Sequence, residues 1–169
     1  QAGNVAYIDV GGGSTEVSLI HDGERVESVS YDMGTLRLLS GRVTPETERL
    51  FKANLQRYAA DYGDIRIIGS GGNINKLNKL ARHEVGQNPK ELGLAELRRL
   101  HGALSKLCLR EREAAFGLKE DRADVIVPAA EIFMDACAFL KCDTVLVPNI
   151  SLADAIVDGL YKRVCADAE

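Results

Sequence analysis

The 169-residue chain is 46% apolar and 27% charged, ordinary globular proportions that exclude disorder, collagen-like repeats and low-complexity sequence. Its 21 lysines and arginines against 25 aspartates and glutamates leave a net charge of -4, with no basic surplus for a nucleic-acid backbone, so no nucleic-acid partner is expected. The length suits residues 1–169 as one compact domain, or a core with a helical lobe.

Residues 5–10 form a short β-rich run that breaks at Gly11, Gly12 and Gly13, a strand entering a tight glycine turn. A strand pattern resumes over residues 16–21, and Asp22-Gly23 predicts a hairpin into a third strand ending near Met33. Thr44 before Pro45 is a helix start, and Leu50, Phe51, Leu55, Tyr58, Ala59 and Tyr62 recur on one helical face. Ile65, Ile67 and Ile68 make a fourth strand feeding Gly69-Ser70-Gly71-Gly72, followed by a helix with Ile74, Leu77 and Leu80.

Residues 85–93, with Asn88-Pro89, read as a loop opening a helical insert over about 85–123. Within it, Leu97, Leu100, Leu104 and Leu107 set one apolar stripe on a helix over 94–109, and residues 110–113 read as a solvated charged surface. A mostly apolar helix is expected over 124–140, with Pro128 tolerable near its first turn. A fifth strand follows at 144–147, and Ser151 is placed to cap a last helix through about residue 163.

The apolar stretch 125–140 is interrupted by Pro128, Glu131 and Asp135 and is too short to span a bilayer, so no membrane partner is expected. The start lacks a basic region followed by an apolar run, which makes the cytoplasm the expected location. Cys108, Cys137, Cys142 and Cys165 show no Cys-x-x-Cys spacing and read as free thiols in a reducing compartment. Gln1 stands where an initiator methionine would, so a piece of a longer protein is expected.

Three strands, a helix, a strand and a helix, then an insert and a final strand and helix, differ from the strict alternation of a doubly wound nucleotide fold. By fold analogy, the order fits the α/β ribonuclease H-like core of actin, hexokinase and Hsp70-type ATPases: a mixed five-stranded sheet with flanking helices and a helical insert.

The segment from Asp9 through Gly11, Gly12, Gly13, Ser14 and Thr15 to Glu16 carries the most chemistry. Glycines permit positive φ and close approach of N–H groups to an anion, and Ser14 and Thr15 add hydroxyls. Asp9 and Glu16 add carboxylates able to hold a hydrated divalent cation or orient a water. The same residues also allow a plain glycine hairpin with solvated side chains. Gly69, Ser70, Gly71, Gly72 and Asn73 lie between a strand and a helix, where free amides and the helix dipole favour an anion; a flexible turn capped by Asn73 is the alternative.

Neither loop matches the Walker or Rossmann pattern. His21, His83 and His101 lack zinc-ligand spacing, and Gly69-Ser70-Gly71 has the wrong spacing for a serine-hydrolase elbow. A ribonuclease H-type nuclease would need a carboxylate near the fourth strand, which ends Ile68-Gly69-Ser70.

These residues resemble the exopolyphosphatase and guanosine pentaphosphate phosphohydrolase family. Residues 9–16 match its glycine-rich phosphate motif, residues 34–38 are similar to the segment after its third strand, residues 69–73 to its second glycine loop, and Arg122-Ala-Asp-Val-Ile126 to a further stretch. The resemblance implies magnesium-dependent release of terminal phosphate from polyphosphate or guanosine pentaphosphate. Gly11, Gly12, Gly13, Ser14 and Thr15 would be phosphate contacts, joined by the second loop; Asp9 would be a metal-associated carboxylate, and Glu16 an acidic catalytic and metal-associated residue. It also implies an upstream actin-like partner domain, carrying the main catalytic glutamate, that no stretch here matches, and it leaves room for a homodimer. Asn73 stands where threonine is common, and the segment around Asp158 and Gly159 lacks the usual arginine and glutamate. A phosphate or nucleotide sensor without hydrolysis, and a phosphotransferase of the acetate- or sugar-kinase type, are the alternatives.

Overall fold

The computed structural model describes residues 3–83 and 85–148. It opens with a meander of β1 (Asn4–Val10), β2 (Thr15–His21) and β3 (Glu24–Tyr31). Asp22 and Gly23 close the second hairpin with φ of 49° and 90°, the paired left-handed conformations that suit a two-residue turn between twisted strands. A short helix not anticipated from the sequence, α1 (Thr35–Leu39), follows; five residues are too few to display an apolar period. In α2 (Pro45–Tyr62) the proline sits in the first turn and the Thr44 hydroxyl accepts the Thr47 amide at 3.2 Å. β4 (Ile65–Ser70) and α3 (Gly72–Leu80) complete the second strand, glycine loop and helix.

The sheet has six strands rather than the expected five, in the order β3-β2-β1-β4-β6-β5. The additional strand, β5 (Glu91–Gly93), lies in the stretch expected to be loop and pairs antiparallel with β6 (Thr144–Leu146). Its three residues are too short for alternation to register in sequence, and the fully buried Leu92 anchors it. β1, β4 and β6 run parallel at the centre.

The helix expected over 94–109 is two helices, α4 (Leu94–Ser105) and α5 (Leu109–Phe116). At the break, Glu111 accepts the Cys108 amide at 2.8 Å, and Arg112 donates to the carbonyls of Leu104 and Leu107 at 2.9 and 3.1 Å. Arg112 thereby satisfies the end of α4 and is not part of a solvated face. After α6 (Glu120–Ala123), α7 (Ile126–Leu140) takes Pro128 in its first turn and packs against α1, α2, α3, α4, β4 and β6.

Alternation sends Ala6, Ile8, Val10, Val17, Leu19, Ile65 and Ile67 into the helix-covered core, and Val5, Tyr7, Ile20 and Ile68 to the other face, where they are also buried. No helix among the described residues is long and apolar enough to cross a membrane. Cys108, Cys137 and Cys142 are free, and burial pushes the thiols of Cys137 up to about 12 and Cys142 up to about 11. The helix expected from Ser151, the segment around Asp158 and Gly159, and Cys165 lie outside the described residues.

Candidate functional site

The parallel pairing of β1 with β4 sets the two glycine loops side by side. Asp9 is opposite Ser70 across that pair and opposite Glu16 across β1 and β2, while Glu16 is opposite Ser30 of β3. Directly opposed residues share a sheet face, so Ser30, Glu16, Asp9 and Ser70 form one polar row at the end of the sheet where both loops emerge. Gly71 closes the gap between the loops with φ 108° and ψ 160°, a conformation essentially confined to glycine. Crevices beyond the carboxyl ends of parallel strands are where open α/β sheets bind ligands.

The orientation of the first loop is fixed from behind by α1. The Gly11 carbonyl accepts the Thr35 amide at 3.0 Å, the Gly12 carbonyl accepts the Leu36 amide at 2.9 Å, and the Gly13 carbonyl accepts Arg37 Nε at 2.8 Å. A trans peptide unit points its C=O and the following N–H in opposite directions. Three tethered carbonyls therefore aim the N–H groups of Gly12, Gly13 and Ser14 away from α1, and no carbonyl of the described residues takes those amides. Gly34 makes the contact possible: a Cβ there would lie 2.3 Å from the Gly12 oxygen. None of Gly11, Gly12 and Gly13 has φ in the left-handed region, so the expected need for positive φ does not hold; close approach of chain segments takes its place.

Other sequence-predicted site residues have different partners. The Gly11 amide donates to the Ser14 carbonyl at 2.9 Å and closes the turn. Thr15 is fully buried and its hydroxyl donates to the Met33 carbonyl at 2.5 Å. Gly69 falls on the core face, where a Cβ would stand 2.9 Å from Val145 and 3.1 Å from Phe133, so its role is to let α7 approach β4. Gly72 opens α3, and the Arg122 guanidinium lies over it: a Cβ on Gly72 would be 2.6 Å from Nη1. That same nitrogen donates to Asn73 Oδ1 at 3.1 Å, so Asn73 holds the arginine rather than capping the helix.

Arg122 adds a fixed cation to the amino end of α3, where the helix dipole is already positive. It and the clamp residues Gly34 and Arg37 were not among the site residues read from sequence, although two motif stretches contained them. The loop amides and Arg122 are groups able to bind an anion, and Asp9 and Glu16, opposite each other across β1 and β2, are groups able to bind a cation. A magnesium ion keeps several waters and needs one or two carboxylates plus ligand phosphates, which this pair can supply. Among the described residues no group of three or more His, Cys, Asp or Glu side chains could hold a metal. A roomier concavity, about 720 Å³, opens at the opposite end of the sheet beside Ile65 and Thr144, away from both loops.

A mixed sheet opening with a meander and carrying glycine loops at the ends of parallel strands is the actin-like, ribonuclease H-like fold. A family model described as the Ppx/GppA phosphatase family matches residues 1–163, and the chain belongs to that family. Among solved structures, the Aquifex aeolicus Ppx/GppA phosphatase aligns with a TM-score of 0.73 at 21% identity, over 94% of this chain and 57% of that one. An exopolyphosphatase from Cytophaga hutchinsonii aligns with a TM-score of 0.70 at 19% identity, over 98% of this chain and 58% of that one. The chain thus spans somewhat more than half the length of these relatives. No curated protein sequence matches it significantly.

Proposed function

We propose that this chain supplies the phosphate-binding wall of a phosphoanhydride hydrolase acting on polyphosphate or guanosine pentaphosphate. The observation that carries this reading is the set of three amides, from Gly12, Gly13 and Ser14, turned away from α1 because the carbonyls of the preceding residues, Gly11, Gly12 and Gly13, are held from behind. Phosphoryl transfer asks a protein mainly for alignment and neutralisation of oxygen charge, and preset amides give both at no reorganisation cost. The Ser14 and Ser70 hydroxyls and Arg122 would take the remaining phosphate oxygens.

Asp9 and Glu16 would hold magnesium, which supplies further charge neutralisation when bound. Glu16, exposed between Ser30 and Asp9 in the row, would also orient a water. The other wall, with the main catalytic glutamate, would come from an upstream domain of the same protein, leaving this chain alone catalytically incomplete.

Phosphate release from polyphosphate and from guanosine pentaphosphate by the full-length parent, by the chain alone and by Asp9→Asn in the parent tests the reading. Magnesium-dependent release by the parent, a large loss in Asp9→Asn and near-zero turnover by the chain alone are expected. Rapid turnover by the chain alone, or an unchanged magnesium response in Asp9→Asn, would overturn the respective assignment.

A further inference from the structure

We propose that Arg37 is a positioning residue: its side chain sets the direction of the Ser14 amide and thereby completes the row of three anion-facing donors. The proposal rests on the phosphate-binding reading above and adds a residue to it. Of the three tethers behind the loop, those from Thr35 and Leu36 are main-chain amides that many residues could provide, whereas the third is a guanidinium nitrogen. The peptide unit that this nitrogen grips joins Gly13 to Ser14, so holding the Gly13 oxygen toward α1 turns the Ser14 N–H to the other side.

That peptide has open space beside it. A Cβ on Gly13 would meet nothing within 4 Å, in contrast to Gly12, where Leu36 Cδ1 stands 3.0 Å away. Behind the loop, a cavity of about 240 Å³ lined by Gly12, Gly13, Leu36, Arg37, Ser40 and Arg42 gives solvent access to the carbonyl side. Without the guanidinium, water would satisfy the Gly13 oxygen in more than one orientation. A turned peptide would then present a carbonyl, not an amide, to the anion.

The far end of the fork is steadied by Asp32, whose Oδ1 is 3.7 Å from Arg37 Nη2. Asp32 is largely exposed and Arg37 half-buried, so the pair adds little to global stability, and loss of Arg37 acts on the loop rather than on the fold.

The test uses the whole 169-residue chain, with pyrophosphate as the probe, calorimetric affinity and the amide NMR shifts of Gly12 and Ser14 as readouts, and thermal unfolding as the control. In the unmodified chain both amides shift on titration. Arg37→Ala is expected to weaken pyrophosphate binding about tenfold, to lose the Ser14 shift while keeping that of Gly12, and to unfold within a few degrees of the parent. Arg37→Lys, whose ammonium can still reach the carbonyl with one donor, is expected to recover part of both effects, and it stands in for the alanine variant if that one fails to fold. Unchanged affinity would overturn the proposal. So would weakened affinity with the Ser14 shift intact, since the arginine would then act on the ligand directly. Absence of pyrophosphate binding in the unmodified chain would instead overturn the phosphate-binding reading, and the inference with it.

Discussion

Asp9 and Gly71 meet across the β1 and β4 pair: a Cβ on Gly71 would stand 3.2 Å from Asp9 Oδ1 and 3.2 Å from the Val10 oxygen. The second loop is therefore threaded past the carboxylate near the end of β1. Gly71→Ala places a side chain in a region of φ and ψ that only glycine occupies readily, at a cost of about 1–3 kcal/mol, and presses it onto Asp9. Denaturant unfolding should show that loss, together with weaker pyrophosphate binding; a variant as stable as the parent would contradict the geometry.

Gly34 and Gly13 should respond in opposite ways to the same change. Gly34 has extended backbone with φ -102°, so alanine there is unstrained, yet its Cβ would lie 2.3 Å from the Gly12 oxygen and would push the loop off α1. Gly13 has open space and no positive φ. Gly34→Ala is predicted to lose stability and most pyrophosphate affinity, and Gly13→Ala to keep the parent's stability. Calorimetry on the two variants decides it.

Arg122→Ala removes the cation above Gly72 and leaves Asn73 Oδ1 without its donor. A hydrogen bond to a charged group is worth about 1.5–3 kcal/mol, so pyrophosphate binding should weaken by roughly one to two orders of magnitude if the guanidinium contacts the anion. Stability should fall by about 1 kcal/mol for the orphaned oxygen. A stability loss with unaltered affinity would reduce Arg122 to a strut.

Glu96 ties the start of α4 to the end of α3: its carboxylate accepts Arg99 Nε and the Arg82 amide, each at 2.7 Å. The Arg99 hydrogen bond, then the Arg82 amide, hold its carboxyl below the usual carboxylate range against the opposing effect of burial. A depressed carboxyl contributes stability that is fully present above the unfolded value of about 4.3 and is lost as pH falls through the lower folded value. Glu96→Gln should accordingly lower Tm at neutral pH, and the difference from the parent should vanish near pH 2. An equal Tm difference at both pH values would count against this linkage.

Much of the architecture is written locally. Asp22-Gly23 encodes its hairpin because two adjacent residues tolerate positive φ, and Thr44-Pro45 encodes the start of α2 because a hydroxyl cap and a fixed φ need no distant partner. The short elements were not legible in the same way. β5 exists only because β6 offers it a ladder, and the break between α4 and α5 depends on Arg112 reaching back to two carbonyls.

For the site, the sequence by itself determined which residues could face an anion: two glycine-rich turns, each ending a strand, with carboxylates beside the first. Only tertiary structure decided which of them are free to. Strand alternation turned Gly69 and the Thr15 hydroxyl inward, the parallel pairing of β1 with β4 brought Gly71 onto Asp9, and α6 carried Arg122 to Asn73. The physical reason is range: a backbone conformation is chosen by neighbouring residues, whereas the direction of an amide is fixed by whatever takes the carbonyl behind it. Here those partners, Thr35, Leu36 and Arg37, lie a full β-hairpin further along the chain.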